Sequence, residues 1–331
     1  MTRVAILGGT DFIGPPIVDA IRAAGHEAIV VHRGLHEREG QPDVPHRHCD
    51  RRDAAALGRA LADVDAVVDT CAYSRADAEA LLLAAPSPRR LVVLSSMDVY
   101  RAWGSLLSNT VTDAVPLDED APVRPVRYPF RGRPAPPLHG VDPETYDKLD
   151  VEEVMLPAGG VVLRLPIVYG PHDHLRREDL LLRRLRAGRK RIPFGAGNLL
   201  FSRGFVREIA AAVSAAVDSP DVRGVALNVC EKRAQTIEHW ALRVIEIAGG
   251  GAELVRVLER LLPPDLAITG TCRQHLLCDG SRASALLRYR AVDPDAALVE
   301  TVRWHMAHPP EGSEGPDDLS ADDAALAAAG S

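Results

Sequence analysis

The chain has 331 residues, of which 46% are hydrophobic, and its formal net charge at pH 7 is −7. A chain of this length can bury a full core in one large domain or in one domain with a smaller unit. The net negative charge argues against nucleic-acid binding, and no apolar run reaches the roughly 18 residues of a membrane-spanning helix. The N-terminus enters a strand without a leader pattern, and the five cysteines form no CxxC pair, so we expect a cytoplasmic protein with reduced thiols.

Short apolar segments alternate with helical stretches along the first half of the chain. The segments that predict strands are 4–7, 27–31, 66–69, 90–95 and 160–164. This alternation predicts an α/β fold with a Rossmann-like, doubly wound parallel sheet. Residues 309–331 are acidic, rich in Gly, Pro and Ser and free of aromatic residues, so we expect an acidic mobile tail there.

The first predicted strand runs into a glycine-rich turn, AILGGTDFIG, at residues 5–14. Gly8 and Gly14 supply the tight turn and the close helix–strand packing, and the N–H groups at the start of the next helix can face phosphates. On the first strand of an alternating chain this turn indicates a dinucleotide site. An ordinary glycine-rich β–α turn is the alternative interpretation.

Five segments resemble, in order, the motifs of the extended short-chain dehydrogenase/reductase family in an atypical form, the NAD(P)-dependent epimerase/dehydratase group. The segments are GGTDFIG (8–14), CDRRD (49–53), VVLSSMDVY (92–100), LRLPIVYGP (163–171), and FVREIAAAV followed by ALNVCE (205–231). The resemblance covers about residues 3 to 308. It implies an NAD(P)-binding Rossmann domain over 1–165, a smaller and mostly substrate-binding C-terminal subdomain over 166–308, and a homodimer that uses the segment 147–156.

The turn and the resemblance together assign a set of cofactor-binding residues. These are Gly8, Thr10, Asp11, Phe12, Ile13, Gly14, His32, Arg33, Asp50, Arg51, Cys71, Ala72, Lys148, Pro166 and Val168. Within this set, Asp50 is expected to meet the adenine amine, and 163–171 to lie along the nicotinamide.

The residue after the second predicted strand favours one nicotinamide cofactor over the other. NAD-binding proteins commonly present an acidic residue there, whereas this chain has His32 and Arg33. An arginine can pair with a 2′-phosphate, which favours NADP, with NAD as the alternative. A merely solvated Arg33 is the other interpretation. Asp11, in place of the middle glycine, is expected to act as a counter-ion within reach of His32 or Arg33.

The catalytic motif of the family is broken in this chain. Ser96 stands in the position of the catalytic serine. The family's Tyr-x-x-x-Lys places both side chains on one helix face, so that the lysine lowers the pKa of the tyrosine. If Lys148 is the family lysine, Glu144 occupies the tyrosine position; if Tyr146 is the family tyrosine, Asp150 occupies the lysine position.

We prefer the alignment through Lys148, with Tyr146 as the acid if the first helical turn is distorted. Residues two apart on an ideal helix point about 200° apart, so Tyr146 and Lys148 cannot otherwise share a face. Asp142 followed by Pro143 predicts the start of this helix. A solvated helix start without a catalytic role is the alternative.

The segment 101–142 is longer than the family needs, and it predicts a lid-like insertion. Its arginines alternate with aromatic residues, which suits an anionic or aromatic substrate and makes Tyr128 a second candidate acid beside Glu144. A proline-stiffened surface loop is the alternative. Two His-x-His pairs, at 46–48 and 172–174, are poor chelates by spacing alone, and we predict no metal site.

These features predict an NADP-dependent oxidoreductase or epimerase/dehydratase-like enzyme. Its expected substrate is an alcohol or ketone of a small molecule, such as a sugar nucleotide or a biosynthetic intermediate, and no nucleic-acid or membrane partner is expected. The alternative is a cofactor-binding protein of the same fold with little or no turnover, acting as a sensor or scaffold.

Overall fold

The computed structural model describes residues 1–35, 43–85, 90–133, 140–310 and 318–329. Its strands are β1 (Arg3–Leu7), β2 (Glu27–His32), β3 (His46–His48), β4 (Ala66–Asp69), β5 (Arg90–Ser96), β6 (Val161–Leu165), β7 (Ile167–Tyr169), β8 (Arg191–Phe194), β9 (Arg203–Phe205), β10 (Val225–Asn228) and β11 (Glu253–Arg256). Its α-helices are α1 (Gly14–Ala23), α2 (Ala54–Ala60), α3 (Arg75–Ala84), α4 (Arg101–Leu107), α5 (Lys148–Met155), α6 (Asp179–Arg186), α7 (Val206–Val217), α8 (Ile237–Ile247), α9 (Ser281–Leu287), α10 (Pro294–Ala307) and α11 (Ser320–Ala329).

Seven parallel strands form the main sheet, in the order β10-β6-β5-β4-β1-β2-β3. Strand order reverses beside β1, as in a doubly wound sheet, so the carboxyl ends of β1, β2 and β4 open a crevice there. The predicted Rossmann-like fold is confirmed. Two small parallel pairs, β8 with β11 and β7 with β9, lie outside the main sheet in the C-terminal half.

The sheet is covered by helices on both faces because its strands are apolar on both sides. On one face the side chains of Val4 and Ile6 join the core that includes α1 and α7. On the other face Ala5 and Leu7 join the core that includes α2, α3 and α5. Continuous burial of this kind is characteristic of parallel strands between two helical layers.

The acidic tail is partly ordered, contrary to the sequence prediction. Residues 320–329 form α11, and Arg184 Nε lies 2.7 Å from Asp322 Oδ2 with both side chains buried. Arg189 pairs with Asp323, which also belongs to α11. The acidic residues that indicated a solvated tail are therefore partners of arginines on and just after α6. The predicted mobility of 311–317 and 330–331 concerns residues outside the described ones.

Helix α5 has little surface left for a partner subunit. Of its eight residues, six are buried within the described chain. The expected homodimer stays a prediction, and a contact through this helix would have to use the few groups that remain outside, such as Glu153. Among the described residues, no helix is both long enough and apolar enough to cross a bilayer.

Candidate functional site

The glycine-rich turn between β1 and α1 is packed too tightly to hold a side chain at two of its positions. Gly8 has a φ of +83°, and a Cβ atom there would lie 2.3 Å from Thr70 Oγ1. A Cβ on Gly14 would lie 2.4 Å from the carbonyl carbon of Gly9. Thr70 Oγ1 also donates to the Leu7 carbonyl at 2.8 Å, which ties the turn to the end of β4. Only glycine fits these two positions, as a dinucleotide-binding turn requires.

The N–H groups at the start of α1 are fewer than the sequence pattern implies. The first helical turn contains Pro15 and Pro16, which have no N–H, and the Gly14 N–H donates to the Asp11 carbonyl at 2.8 Å. Within the described residues, the Phe12 and Ile13 N–H groups have no hydrogen-bond partner. These two groups can donate to an anion at this turn.

Two adjoining cavities lie at the carboxyl ends of β1, β2 and β4. The turn cavity is the one lined by the glycine-rich turn. Predicted cofactor residues that line it are Gly8, Thr10, Asp11, Phe12, Ile13, His32, Arg33, Arg51 and Cys71. The arginine cavity is lined by Arg33, Arg51, Arg52, Arg75, Arg131 and by Asp50 among others. Arg33, Arg51, Cys71 and Tyr73 line both cavities and form the boundary between them.

The arginines of this boundary differ in what they contact. Arg51 Nη1 and Nη2 lie 3.0 and 2.7 Å from the two carboxylate oxygens of Asp69, and its Nε lies 3.1 Å from Asp77 Oδ1. Its charge is already paired. Within the described residues, the guanidinium of Arg33 has no hydrogen bond or ion pair. Arg33 is therefore the cation available to a ligand anion at this boundary.

Asp50 is engaged by its neighbour on the chain. Arg52 Nη2 lies 2.6 Å from Asp50 Oδ2, and the Arg52 N–H donates to Asp50 Oδ1 at 3.0 Å. The hydrogen bonds from Arg52 lower the pKa of Asp50 to about 2. The carboxylate stays ionised and keeps acceptor capacity toward the arginine cavity, where adenine contact stays a prediction.

His32 belongs to a group of histidines at the ends of β2 and β3. Its Nδ1 accepts the Gly34 N–H at 3.1 Å, and its Nε2 lies 2.8 Å from His46 Nδ1. The His48 ring packs edge-on against His32, with ring centres 4.7 Å apart. Among the described residues, no group of three His, Cys, Asp or Glu side chains has a metal-binding arrangement.

Asp11 lies close to a histidine of the loop after β7. Asp11 Oδ2 lies 3.8 Å from His174 Nδ1, and the His174 ring packs edge-on against Phe12. The sequence does not link His174 to the turn, because the two are distant in the chain and no motif joins them. This contact places a titratable group from the 172–174 pair beside the turn cavity.

Lys148 begins α5 and lies under the ends of β4 and β5. Its Nζ donates to the carbonyls of Ala72 and Leu94 at 2.6 and 2.9 Å, and the side chain is buried. Burial lowers the pKa of Lys148. Its ammonium also lies 4.7 Å from the centre of the Tyr73 ring. Ala72 thus contributes a carbonyl to the Lys148 environment.

The remaining predicted cofactor residues lie toward β7 and β9. The Val168 side chain is buried in the main core, and its carbonyl is 3.4 Å from Arg177 Nη1. Pro166 packs close to Gly204 of β9. Their contact with a nicotinamide stays a prediction.

The predicted helix start at Asp142 is wrong. Helix α5 begins at Lys148, with Asp147 as its N-cap, because the Asp147 side chain accepts the Leu149 N–H at 2.9 Å. Asp142 instead closes a separate turn, in which its carbonyl accepts the N–H of Tyr146 at 2.9 Å. The turn of helix that Tyr-x-x-x-Lys needs is therefore absent from this position.

Tyr146 and Glu144, the two candidate acids beside Lys148 in the sequence, contact groups other than Lys148. The Tyr146 hydroxyl donates to Asp98 Oδ2 at 2.7 Å, and burial raises its pKa well above the ordinary value. Glu144 is exposed and accepts the Gly132 N–H at 3.2 Å. Ser96 Oγ accepts the Asp98 N–H at 3.1 Å, which leaves its own hydroxyl hydrogen able to donate.

Two arginines of the 101–142 insertion, Arg124 and Arg127, pair with residues at the start of α5. Arg124 Nη2 lies 2.5 Å from Asp147 Oδ1, and Arg127 Nε lies 3.0 Å from Asp147 Oδ2. The expectation that these two arginines meet an anionic substrate is replaced by these ion pairs. Tyr128 lines the arginine cavity with the Arg131 guanidinium 4.1 Å from its ring centre. Residues 134–139 of the insertion lie outside the described residues.

Comparison with known proteins supports the same family over part of the chain. Residues 4–82 match the family described as "NAD dependent epimerase/dehydratase family". A 2′-dehydrokanamycin reductase of Streptomyces kanamyceticus is 33% identical over 122 residues, which is 35% of this chain and 34% of that protein. The chain thus matches about a third of the length of this curated relative.

Solved structures share the fold over nearly the whole chain. The UDP-glucose 4-epimerase of Thermotoga maritima has a TM-score of 0.69 at 18% identity and covers 92% of this chain and 99% of its own. The dTDP-glucose 4,6-dehydratase of Bacillus anthracis, solved in complex with NAD, has a TM-score of 0.69 at 16% identity and covers 93% and 98%. The sequence resemblance to the NAD-dependent epimerase/dehydratase family is confirmed over residues 4–82. The chain shares the fold of these epimerase and dehydratase structures.

Proposed function

We propose that the protein binds NADP(H) and uses it to interconvert a ketone and an alcohol on a small polar molecule. The observation that carries the proposal is the tight glycine-rich turn together with Arg33, which lines the cavity beside that turn. The partial match to a 2′-dehydrokanamycin reductase supports a reductase, and the match to the epimerase/dehydratase family supports nicotinamide chemistry.

The residues of the turn cavity fit a dinucleotide. A Cβ atom at Gly8 would collide with Thr70, and one at Gly14 with the Gly9 backbone, so the tight turn depends on glycine at both positions. The Phe12 and Ile13 N–H groups would hold the pyrophosphate, and Arg33 would pair with a 2′-phosphate. When bound, the reduced nicotinamide supplies the hydride for the substrate carbonyl carbon.

The protein's own residues would supply orientation and a proton. The Ser96 hydroxyl would donate to the substrate oxygen, since its acceptor side already holds the Asp98 N–H. Lys148 would keep the ends of β4 and β5 in place and supply positive charge close to the site. The proton donor in the sequence-based assignment is Tyr146, with Tyr128 and Glu144 as alternatives.

A second candidate function is a cofactor-binding sensor or scaffold with little turnover. The observation that favours it is the Tyr146 hydroxyl, whose hydrogen is already donated to Asp98. Such a protein would keep nicotinamide binding and lose the proton transfer on which reduction depends.

The test is to incubate the protein with NADPH and 2′-dehydrokanamycin, UDP-glucose or dTDP-glucose, and to follow the absorbance of the reduced nicotinamide and the products by mass spectrometry. Oxidation of NADPH with reduction of a ketone supports the reductase. Interconversion of a sugar without net oxidation indicates an epimerase or dehydratase. Tight NADPH binding without any product favours the sensor or scaffold and contradicts the reductase.

A further inference from the structure

Tyr73 lies between β4 and α3 with its backbone fixed on both sides. Its N–H donates to Asp77 Oδ2 at 2.9 Å, and its carbonyl accepts the Asp147 N–H at 2.9 Å. Asp77 is part of the capping box of α3, and Asp147 is the N-cap of α5. The Tyr73 ring is therefore held where the starts of both helices meet the end of β4.

The side chain of Tyr73 borders ligand space and lies close to Lys148. The residue is half-buried and lines both the turn cavity and the arginine cavity. Its ring centre lies 4.7 Å from Lys148 Nζ and 6.1 Å from the ring centre of Tyr146. Within the described part of the chain, the Tyr73 hydroxyl has no hydrogen-bond partner.

The other tyrosines near this end of the sheet use their hydroxyl hydrogens inside the protein. Tyr100 donates to Asn228 Oδ1 at 2.7 Å, Tyr146 donates to Asp98, and Tyr169 donates to Glu231 Oε1 at 2.5 Å. Tyr128 lines the arginine cavity but not the turn cavity, and the Arg131 guanidinium lies over its ring. Tyr73 is thus the tyrosine that combines an uncommitted hydroxyl with a nearby buried lysine.

We propose that Tyr73 is the proton donor of this site, in the role that the broken Tyr-x-x-x-Lys motif leaves empty. The inference rests on the proposed reduction. The Tyr73 O–H bond breaks as a new O–H bond forms on the substrate carbonyl oxygen, while the carbonyl carbon takes the hydride from the reduced nicotinamide. The substrate becomes an alcohol, the cofactor is oxidised, and the Tyr73 phenolate regains a proton from water.

The surroundings of Tyr73 act on this transfer in two opposite ways. Burial raises the pKa of Tyr73, which keeps the phenol protonated before the reaction but opposes loss of the proton. The Lys148 ammonium beside the ring attracts the negative charge that remains after the proton leaves. The sequence did not indicate this role, because Tyr73 and Lys148 are 75 positions apart and belong to no common motif.

The test compares Tyr73→Phe with Tyr289→Phe, a control at a tyrosine in the loop between α9 and α10. Turnover is measured with NADPH and 2′-dehydrokanamycin, and the affinity for NADPH by calorimetry. Tyr73→Phe keeps the ring, so the affinity should stay within about threefold of the wild-type value, while kcat falls by about 100-fold or more. Tyr289→Phe should keep the wild-type kcat. The melting temperatures of both variants check that the fold is retained.

A second measurement does not depend on turnover. Tyrosinate formation is followed by ultraviolet difference absorbance during a pH titration, with and without NADP⁺. The positive nicotinamide ring should lower the pKa of a neighbouring phenol, so one tyrosine should ionise at lower pH in the complex, and Tyr73→Phe should remove that transition.

The outcomes separate this inference from the proposed function. If the wild type reduces the ketone and Tyr73→Phe keeps more than about a third of kcat, or if Tyr146→Phe alone abolishes turnover, the assignment is overturned. If the wild type reduces nothing, the proposed reduction fails, and the titration decides the place of Tyr73. Loss of the NADP⁺-dependent transition in Tyr73→Phe then supports Tyr73 beside the nicotinamide, and its persistence overturns it.

Discussion

Arg124 and Asp147 form an ion pair that is almost completely buried. Arg124 Nη2 lies 2.5 Å from Asp147 Oδ1, and the exposed fractions of the two side chains are 4% and 0%. Arg124 also donates to the Asp98 carbonyl at 3.0 Å. The pair therefore joins the insertion to α5 and to the segment after β5, next to Lys148 and Ser96.

Arg124→Ala should lower the free energy of unfolding by about 3 kcal/mol, at the low end for a broken buried pair, because Arg127 still contacts Asp147. Chemical denaturation of wild type and variant measures the difference. Arg233→Ala is the matched control, since its pair with Asp293 is exposed and should contribute less than about 1 kcal/mol. Equal losses in the two variants would contradict the structural role of Arg124.

We expect Glu178 to make the stability of the protein depend on pH. Both of its carboxylate oxygens are buried without a hydrogen-bond partner among the described residues, and burial raises its pKa to about 7. The unfolded chain releases this proton near pH 4.3, about the ordinary value for glutamate. Stability from this group is thus fully present below about pH 4 and is lost as pH rises through about 7.

Glu178→Gln should therefore reduce the fall in unfolding free energy between about pH 5 and pH 8. Denaturation series at several pH values measure the slope. Glu208 is also buried with its pKa raised to about 7, so Glu208→Gln should act in the same direction. Glu253→Gln, at an exposed position of β11, should leave the slope as in the wild type. An unchanged slope in Glu178→Gln would show that its carboxyl titrates normally.

The sequence predicted the elements whose signal is local. The strand pattern of β1 and β2 and the glycines at 8 and 14 each depend on nearby residues or on backbone sterics, and the structure has them where they were expected. Periodicity and turn chemistry act over a few residues, so a single sequence contains them.

The site itself depends on contacts between distant segments. Helix α5 starts at Lys148 and not at the predicted Asp142, because Asp147 both caps the helix and pairs with Arg124, 23 positions away. Arg124 and Arg127 were expected to meet a substrate because their carboxylate partners, Asp147 and Asp150, lie beyond the segment. Likewise, the contact of Tyr73 with Lys148 could not be predicted from the sequence, because it depends on the packing of α3 against α5.

Lys148→Met tests whether the buried ammonium stabilises the carboxyl ends of β4 and β5 through its hydrogen bonds. Methionine keeps much of the length but leaves the buried carbonyls of Ala72 and Leu94 without the ammonium, at a cost of about 1–3 kcal/mol for each group left unpaired. Thermal unfolding should shift to lower temperature. The matched control is Lys190→Met at an exposed position, where the shift should be negligible. A wild-type melting temperature in Lys148→Met would contradict the bridging role.

The homodimer expected from the family resemblance is tested by light scattering at micromolar concentration. A dimer should have twice the chain mass of 35.7 kDa. Because most of α5 is already buried in the chain, Glu153→Arg should reveal whether the remaining surface of this helix takes part. A single-chain mass for the wild type would contradict the dimer.

Arg33 should determine which nicotinamide cofactor the protein prefers. Arg33 lines both cavities and has no partner among the described residues, whereas Arg51 is paired with Asp69 and Arg52 with Asp50. A charge-assisted contact between Arg33 and a 2′-phosphate is worth about 1.5–3 kcal/mol, so wild type should bind NADPH more tightly than NADH. Arg33→Ala should weaken NADPH binding by about 10- to 100-fold and leave NADH binding unchanged. Arg52→Ala is the matched control and should preserve the preference, because Arg52 already serves Asp50. Calorimetric titration of both cofactors measures these affinities, and a wild type that binds NADH as tightly as NADPH would remove the role assigned to Arg33.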